Sequence, residues 1–116
     1  MRPDDYFPYI QNTCLEVYGC EVVLARYSPI DNSMVISQIK SLSPGQGNAT
    51  RCLQYLIPRL EKAGIRTIEL VAQPIPGTEG PSAFKLALWY RKFGFKVVKK
   101  NKKLDNYEMV LHFPPI

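Results

Sequence analysis

The chain has 116 residues, of which 46% are hydrophobic and 22% are charged, and its formal net charge is +5. This length predicts one domain over residues 1–116, and the apolar content excludes an intrinsically disordered chain. No apolar run approaches the roughly 20 residues that cross a bilayer, and the N-terminal segment MRPDDYFPYI lacks the apolar stretch of a secretory signal.

The first part of the chain predicts a helix followed by a β-hairpin. Residues 3–18 have an early proline and two acids at the start, and Gly19 is a plausible stop. The runs CEVVLARYS (20–28) and MVISQIKSL (34–42) are rich in β-forming residues and flank the turn cluster PIDNS. We therefore expect these two strands to pair with each other.

The rest of the chain alternates helices and strands. Residues 48–63 carry apolar side chains at helical spacing, and Pro58 inside this helix predicts a kink or a break. The run IRTIELVAQ predicts a strand, and Ser82 caps a helix that ends before Gly94. FKVVKK and NYEMVLHF predict two more strands. The order of elements indicates an α/β (α+β) domain.

The stretch PGQGNATR (44–51) joins the second strand to the second helix. A glycine-containing turn at a helix N-terminus presents several backbone N–H groups to an anion, and the amides concerned are Gln46, Gly47, Asn48, Ala49 and Thr50. The alternative is an ordinary turn with Asn48 or Thr50 as the helix cap. Neither the GK[ST] ending of a triphosphate loop nor the three-glycine dinucleotide fingerprint is present.

A second motif follows in LWYRKFGF, and together the two motifs resemble the GNAT superfamily of acyl-CoA-dependent N-acetyltransferases. The turn has the Gly47-x-Ala49 pair, and the later helix ends in Tyr90-x-x-x-Gly94-Phe95. The turn motif begins with Pro44 instead of Gln or Arg, and the N-terminal part is shorter than is usual in the family. The resemblance implies a mixed, mostly antiparallel sheet flanked by helices, N-terminally shortened. It also implies acetyl-CoA as the co-substrate and a primary amine as the acceptor.

The resemblance also implies the roles of individual residues. The pyrophosphate of the carrier would bind to the amides of residues 46–50. The pantetheine arm would pair along the strand edge near Ser41 and Leu42, where this strand splays from IRTIELVAQ. Tyr90 would protonate the departing thiolate. A core aromatic residue is the alternative for Tyr90.

A general base is harder to assign, because the strand MVISQIKSL contains no acid. Glu69 is the main candidate, although a solvent-facing strand residue is the alternative. Glu79 and Glu108 are weaker candidates, and we expect His112 to be structural.

The segment 91–103 contains seven of the 15 basic residues of the chain. We call this set the basic strip: Arg91, Lys92, Lys96, Lys99, Lys100, Lys102 and Lys103. It predicts either a solvated hairpin face or a nucleic-acid-binding surface. Two alternatives to an enzyme therefore stay open, a nucleic-acid-binding module and a non-catalytic CoA-binding protein.

The remaining expectations concern cysteines and assembly. Cys14, Cys20 and Cys52 are odd in number and lack metal-ligand spacing, so we expect free buried thiols, no metal site and a reducing, cytoplasmic location. Nothing in the sequence predicts membrane association, and an oligomer is possible.

Overall fold

The computed structural model describes residues 2–77 and 80–114. Over these residues a short 3₁₀ turn (Pro3–Asp5) precedes three α-helices and five β-strands. The helices are α1 (Phe7–Tyr18), α2 (Asn48–Lys62) and α3 (Ala83–Arg91). The strands are β1 (Cys20–Ser28), β2 (Ser33–Ser41), β3 (Thr67–Ala72), β4 (Lys96–Asn101) and β5 (Asn106–His112). None of the described helices combines the length and the apolarity that a membrane span requires.

The strands form one mixed sheet in the order β1-β2-β3-β5-β4. β2 and β3 are parallel, and the other three neighbouring pairs are antiparallel, which confirms the predicted hairpin and the mostly antiparallel sheet. The register of β2 with β3 runs only from Ser33–Thr67 to Ile36–Leu70. Both strands continue beyond that point, β2 to Ser41 and β3 to Ala72, so they separate where the chain approaches the glycine turn.

The core lies on one face of the sheet. Helices α1 and α2 pack on β1 and β2, and α3 packs on β3 and β5. The apolar face of α2 is fully buried at Leu53, Leu56 and Leu60. Complete burial of one such side chain contributes about 1.5–3 kcal/mol relative to exposure. The three cysteines are free and buried in the same core, as the sequence predicted.

Two sequence predictions need correction. Residues 3–18 do not form one helix, because the 3₁₀ turn ends at Asp5 and α1 begins at Phe7. The break expected at Pro58 is also absent, since α2 continues through it to Lys62. Pro58 has no N–H to donate to the carbonyl of Gln54, four residues earlier. Both residues are exposed, so water can donate to that carbonyl instead.

Candidate functional site

The glycine turn leaves the N-terminus of α2 without a side-chain cap. Gly47 is the N-cap residue in a left-handed conformation, with φ 76° and ψ 9°, and no side-chain hydrogen bond caps this end. The first helical hydrogen bond is donated by the N–H of Arg51 to the carbonyl of Gly47, at 3.1 Å. The N–H groups of Asn48, Ala49 and Thr50 precede it and have no partner within the helix. The capping alternative for Asn48 or Thr50 is therefore not what the structure shows, and these donors remain at the positive end of the helix dipole.

Arg51 adds a positive charge to this turn. Its Nη2 donates to the carbonyl of Gln46 at 3.0 Å and also bonds to Oδ1 of Asn48. Its Nη1 would lie 3.2 Å from a Cβ placed on Gly47, so the guanidinium covers the turn from one side. Sequence reasoning missed Arg51, because the amides predicted to bind an anion end at Thr50 and only the folded chain shows that the next side chain returns to the turn.

A cavity of about 440 Å³ opens beside the turn, between the end of β2, α3 and the segment that follows β3. Of the residues predicted for the cofactor, Ser41 and Ala49 line it. The others do not: Leu42, Gln46, Gly47, Asn48 and Thr50. The backbone N–H of Leu42 already donates to the carbonyl of Gly19 at 2.9 Å. Lys40 and Lys85 also line the cavity and supply two further cations. The lining thus suits a ligand that has both anionic and apolar parts.

A smaller cavity of about 250 Å³ occupies the gap where β2 and β3 separate. It is lined by Ser37 and Gln38 of β2 and by Val71 of β3, among others. The β1–β2 register shifts at this level, and Ser37 has no register partner there. Five residues line both cavities, which therefore meet: Ile39, Gln73, Pro74, Ile75 and Tyr90.

Tyr90 lies in the last turn of α3 at this junction. Its side chain is 7% exposed, and its ring packs edge-on against Phe95 with a centroid distance of 5.7 Å. Among the described residues no hydrogen bond to the Tyr90 hydroxyl is found. Burial raises the pKa of Tyr90 from 10.0 to about 12, so the phenol is protonated throughout the neutral range.

The segment that follows Tyr90 fixes its position. The backbone N–H of Phe93 donates to the carbonyl of Tyr90 at 3.0 Å, and Gly94 adopts φ 102° to turn the chain into β4. A Cβ on Gly94 would lie 2.9 Å from Cδ1 of Leu111. The backbone conformation favours glycine here, and any larger residue would also have to displace the end of the Leu111 side chain.

Neither Glu69 nor Glu108, considered as a general base, lines either cavity. Glu69 is exposed on β3, on the face opposite to the buried Ile68 and Leu70 and the same as Val71, which does line the smaller cavity. Glu108 is exposed on β5, and Nδ1 of His112 lies 3.1 Å from Oγ1 of Thr67 at the end of the sheet. Glu79 falls outside the described residues. The base assignment for Glu69 thus stays a prediction.

The basic strip is separate from both cavities. None of its residues lines either one. β4 is the edge strand beyond β5, whereas the gap that holds the smaller cavity lies between β2 and β3. Lys100 lies over the ring of Tyr107 with its Nζ 5.4 Å from the centroid.

Comparison with known proteins gives matches at the level of structure. Neither protein-family profiles nor curated protein sequences match this chain. Among solved structures, Arabidopsis thaliana Naa50 in complex with the bisubstrate analogue CoA-Ac-MVNAL is 18% identical with a TM-score of 0.55, covering 81% of this chain and 62% of the other. A GNAT family acetyltransferase from Elizabethkingia anophelis with acetyl-CoA bound is 14% identical with a TM-score of 0.56, covering 84% and 78%.

Two further acetyltransferases are similar. Nourseothricin acetyltransferase is 16% identical with a TM-score of 0.60, covering 83% of this chain and 58% of the other. The ribosomal-protein-S18-alanine N-acetyltransferase from Escherichia coli is 19% identical with a TM-score of 0.55, covering 84% and 61%. This chain thus spans only about three fifths of the length of most of these proteins. The strand order, the gap between β2 and β3, and these matches together show that the chain has the fold of the GNAT superfamily.

Proposed function

We propose that this protein is an N-acetyltransferase that transfers an acetyl group from acetyl-CoA to a primary amine by direct attack. The observation that carries this proposal is the position of Tyr90. Its phenol lies where the cavity that begins at the glycine turn meets the gap between β2 and β3. A ligand held by its phosphates at the turn would reach Tyr90 with its other end.

The residues around the turn suit the phosphates of CoA. The N–H groups of residues 48–50 and the backbone of Gln46 and Gly47 would bind the pyrophosphate, and the guanidinium of Arg51 would add a positive charge beside it. Lys40 and Lys85 would attract the remaining negative charge. Ser41 and its neighbours on the open edge of β2 would pair with the pantetheine arm. Structurally similar proteins that were solved with CoA or acetyl-CoA bound support this assignment.

Tyr90 would act on the leaving group. The amine nitrogen bonds to the acetyl carbon, the carbon–sulfur bond breaks, and the thiolate needs a proton. A thiol has a pKa of about 8.5, whereas the buried phenol has a pKa of about 12. Complete transfer from Tyr90 would therefore be uphill by about 5 kcal/mol. We infer that Tyr90 keeps its proton and stabilises the thiolate by donating a hydrogen bond. The amine loses one proton through water to the general base, and the thiolate takes up one proton from water, so the protons balance.

Glu69 is our proposed general base. Because its side chain does not line the cavities, the amine proton would reach it through water. The acceptor amine would enter through the gap between the strands, where the cavity is open. The acceptor is either a small-molecule amine or a protein amine, and a panel of amines would identify which.

A ligand screen tests the proposal. Acetyl-CoA, CoA and single-stranded oligonucleotides are added separately, and the melting temperature of the protein is measured, since a ligand of the native state raises it. We expect stabilisation by acetyl-CoA near one molecule per chain, followed by thiol release with a panel of amines. Binding without thiol release for any amine would favour a non-catalytic CoA-binding protein. Salt-sensitive stabilisation by oligonucleotides alone would favour a nucleic-acid-binding module.

A further inference from the structure

Gln73 follows β3 directly and lies at the junction of the two cavities. It lines both of them, and so do Ile39, Pro74, Ile75 and Tyr90. Of these five residues, only Gln73 and Tyr90 have polar side chains. The junction therefore presents an amide and a phenol to whatever ligand occupies it.

The side chain of Gln73 is held by Asn106, the first residue of β5. Asn106 is only 6% exposed, so its side-chain amide is buried. Its Nδ2 donates to Oε1 of Gln73 at 3.2 Å. A buried amide is costly unless it is hydrogen-bonded, so this bond defines which end of Gln73 faces Asn106. With Oε1 engaged, Nε2 is the end that can donate into the junction.

We propose that Nε2 of Gln73 donates a hydrogen bond to the thioester carbonyl oxygen of the acyl donor, and that Asn106 is the positioning residue that orients it. This inference rests on the proposed function. Tyr90 is assigned to the sulfur atom, and the carbonyl oxygen is bonded to the same carbon as that sulfur. The other polar side chain at the junction is therefore placed to contact the oxygen.

The hydrogen bond would matter most during the transfer. When the amine nitrogen bonds to the carbonyl carbon, the electron pair of the carbonyl moves to the oxygen. The carbonyl then re-forms as the carbon–sulfur bond breaks, and the thiolate gains a proton. Gln73 exchanges no proton in these steps. Its hydrogen bond strengthens as the oxygen becomes negative, so it lowers the barrier more than it raises affinity.

The kinetic test replaces Gln73 by methionine, which keeps the length of the side chain and removes the amide. We expect kcat to fall about 100-fold in Gln73→Met, with acetyl-CoA affinity changed by less than about threefold. Gln54→Met is the matched control, because Gln54 is exposed on α2 and lines neither cavity. The control should keep the kcat of the unmodified protein.

A spectroscopic test needs no turnover. Acetyl-CoA labelled with ¹³C at the thioester carbonyl is bound to the protein, and its carbonyl stretch is measured by difference infrared spectroscopy. A hydrogen bond to the oxygen lowers this frequency, so we expect a downward shift in the unmodified protein and its loss in Gln73→Met. Asn106→Asp should lose the shift as well, because a carboxylate accepts from Nε2 and turns the amide of Gln73 around.

The outcomes separate this inference from the proposed function. An unmodified protein that does not bind acetyl-CoA would overturn both. If acetyl-CoA binds and Gln73→Met keeps the carbonyl shift and kcat, only the role of Gln73 is overturned. If Gln73→Met loses the shift while Asn106→Asp keeps it, the positioning role of Asn106 is overturned.

Discussion

The substitution Tyr90→Phe separates a catalytic phenol from a core aromatic. Phenylalanine keeps the ring, its 7% exposure and its edge-on packing against Phe95, and it removes only the hydroxyl. Since no described residue hydrogen-bonds that hydroxyl, its loss leaves no partner unsatisfied. We therefore expect the free energy of unfolding near pH 7 to change by no more than about 0.5 kcal/mol.

The expected effect on the reaction is much larger. Removal of one positioned hydrogen-bond donor to a developing negative charge typically lowers kcat by about 100-fold or more, so we expect at least that factor. The affinity for acetyl-CoA should stay nearly constant, because the ring still fills the junction. Single-turnover release of the thiol and equilibrium binding of acetyl-CoA measure the two quantities separately. Full turnover in Tyr90→Phe would refute the reasoning, and a parallel loss of binding and stability would favour the core aromatic.

Comparison of the unmodified protein with Tyr90→Phe also gives a stability test at high pH. Tyr90 has a pKa of about 12 in the folded protein and about 10 when unfolded, so the folded state holds its proton more firmly. The stabilisation by the neutral phenol is complete below pH 10 and is lost as the pH rises through 12. The loss amounts to about 3 kcal/mol over two pH units. Urea titrations at pH 9 and above should show this extra decline in the unmodified protein and not in Tyr90→Phe. An equal decline in both would contradict the burial of the phenol.

Three further substitutions test the turn, the strip and the helix end. Gly47→Asn adds a side chain that tolerates the left-handed conformation, and it should weaken acetyl-CoA binding about 10- to 100-fold, whereas Gly77→Asn at a similar φ should not. Gly47→Val would be a poorer test, because a β-branched residue at φ 76° adds backbone strain and would confuse an effect on folding with one on binding. Replacing four lysines of the basic strip by glutamate should leave acetyl-CoA affinity unchanged at two salt concentrations. A large loss of that affinity would assign the strip to the cofactor site. The four are Lys99, Lys100, Lys102 and Lys103. Gly94→Ala should destabilise the protein by about 1–3 kcal/mol in urea titrations, and an unchanged midpoint would contradict the strain inferred at Gly94.

Most elements of the fold could be predicted from the sequence because their signals are local. The β-forming runs bounded by turn residues located the strands to within two residues, and Ser82 caps α3 as expected, accepting a bond from the N–H of Lys85 at 3.2 Å. Pro58 does not break α2 because the cost of an interior proline depends on exposure, which is a property of the packed helix; the kink stays a prediction. The separation of β2 from β3 followed only from the family resemblance, since no local pattern specifies where a parallel pairing stops.

The candidate site was predictable to the extent that backbone conformation dictates residue type. Gly47 and Gly94 both adopt positive φ values, which favour glycine. Both belong to the two motifs that the sequence singled out. Gln73 and Asn106 were missed because they are far apart in the chain and meet only through the pairing of β3 with β5. Glu69 was chosen by elimination from the sequence, and its strand face could be predicted while its distance from the cavities could not.

A side-chain hydrogen bond joins the two sequence motifs that we propose bind a single ligand. Nε1 of Trp89 donates to Oγ1 of Thr50 at 3.3 Å, so the last turns of α3 are tied to the first turn of α2. Trp89 also packs against the neighbouring Tyr90, with ring centroids 5.0 Å apart. The glycine turn beside the large cavity and the phenol at its junction with the smaller one are thus positioned by the same pair of helices. Because the distance between the turn and the phenol is fixed by packing, a carrier anchored by its phosphates would bring its reactive atom to Tyr90 without a large movement of the chain.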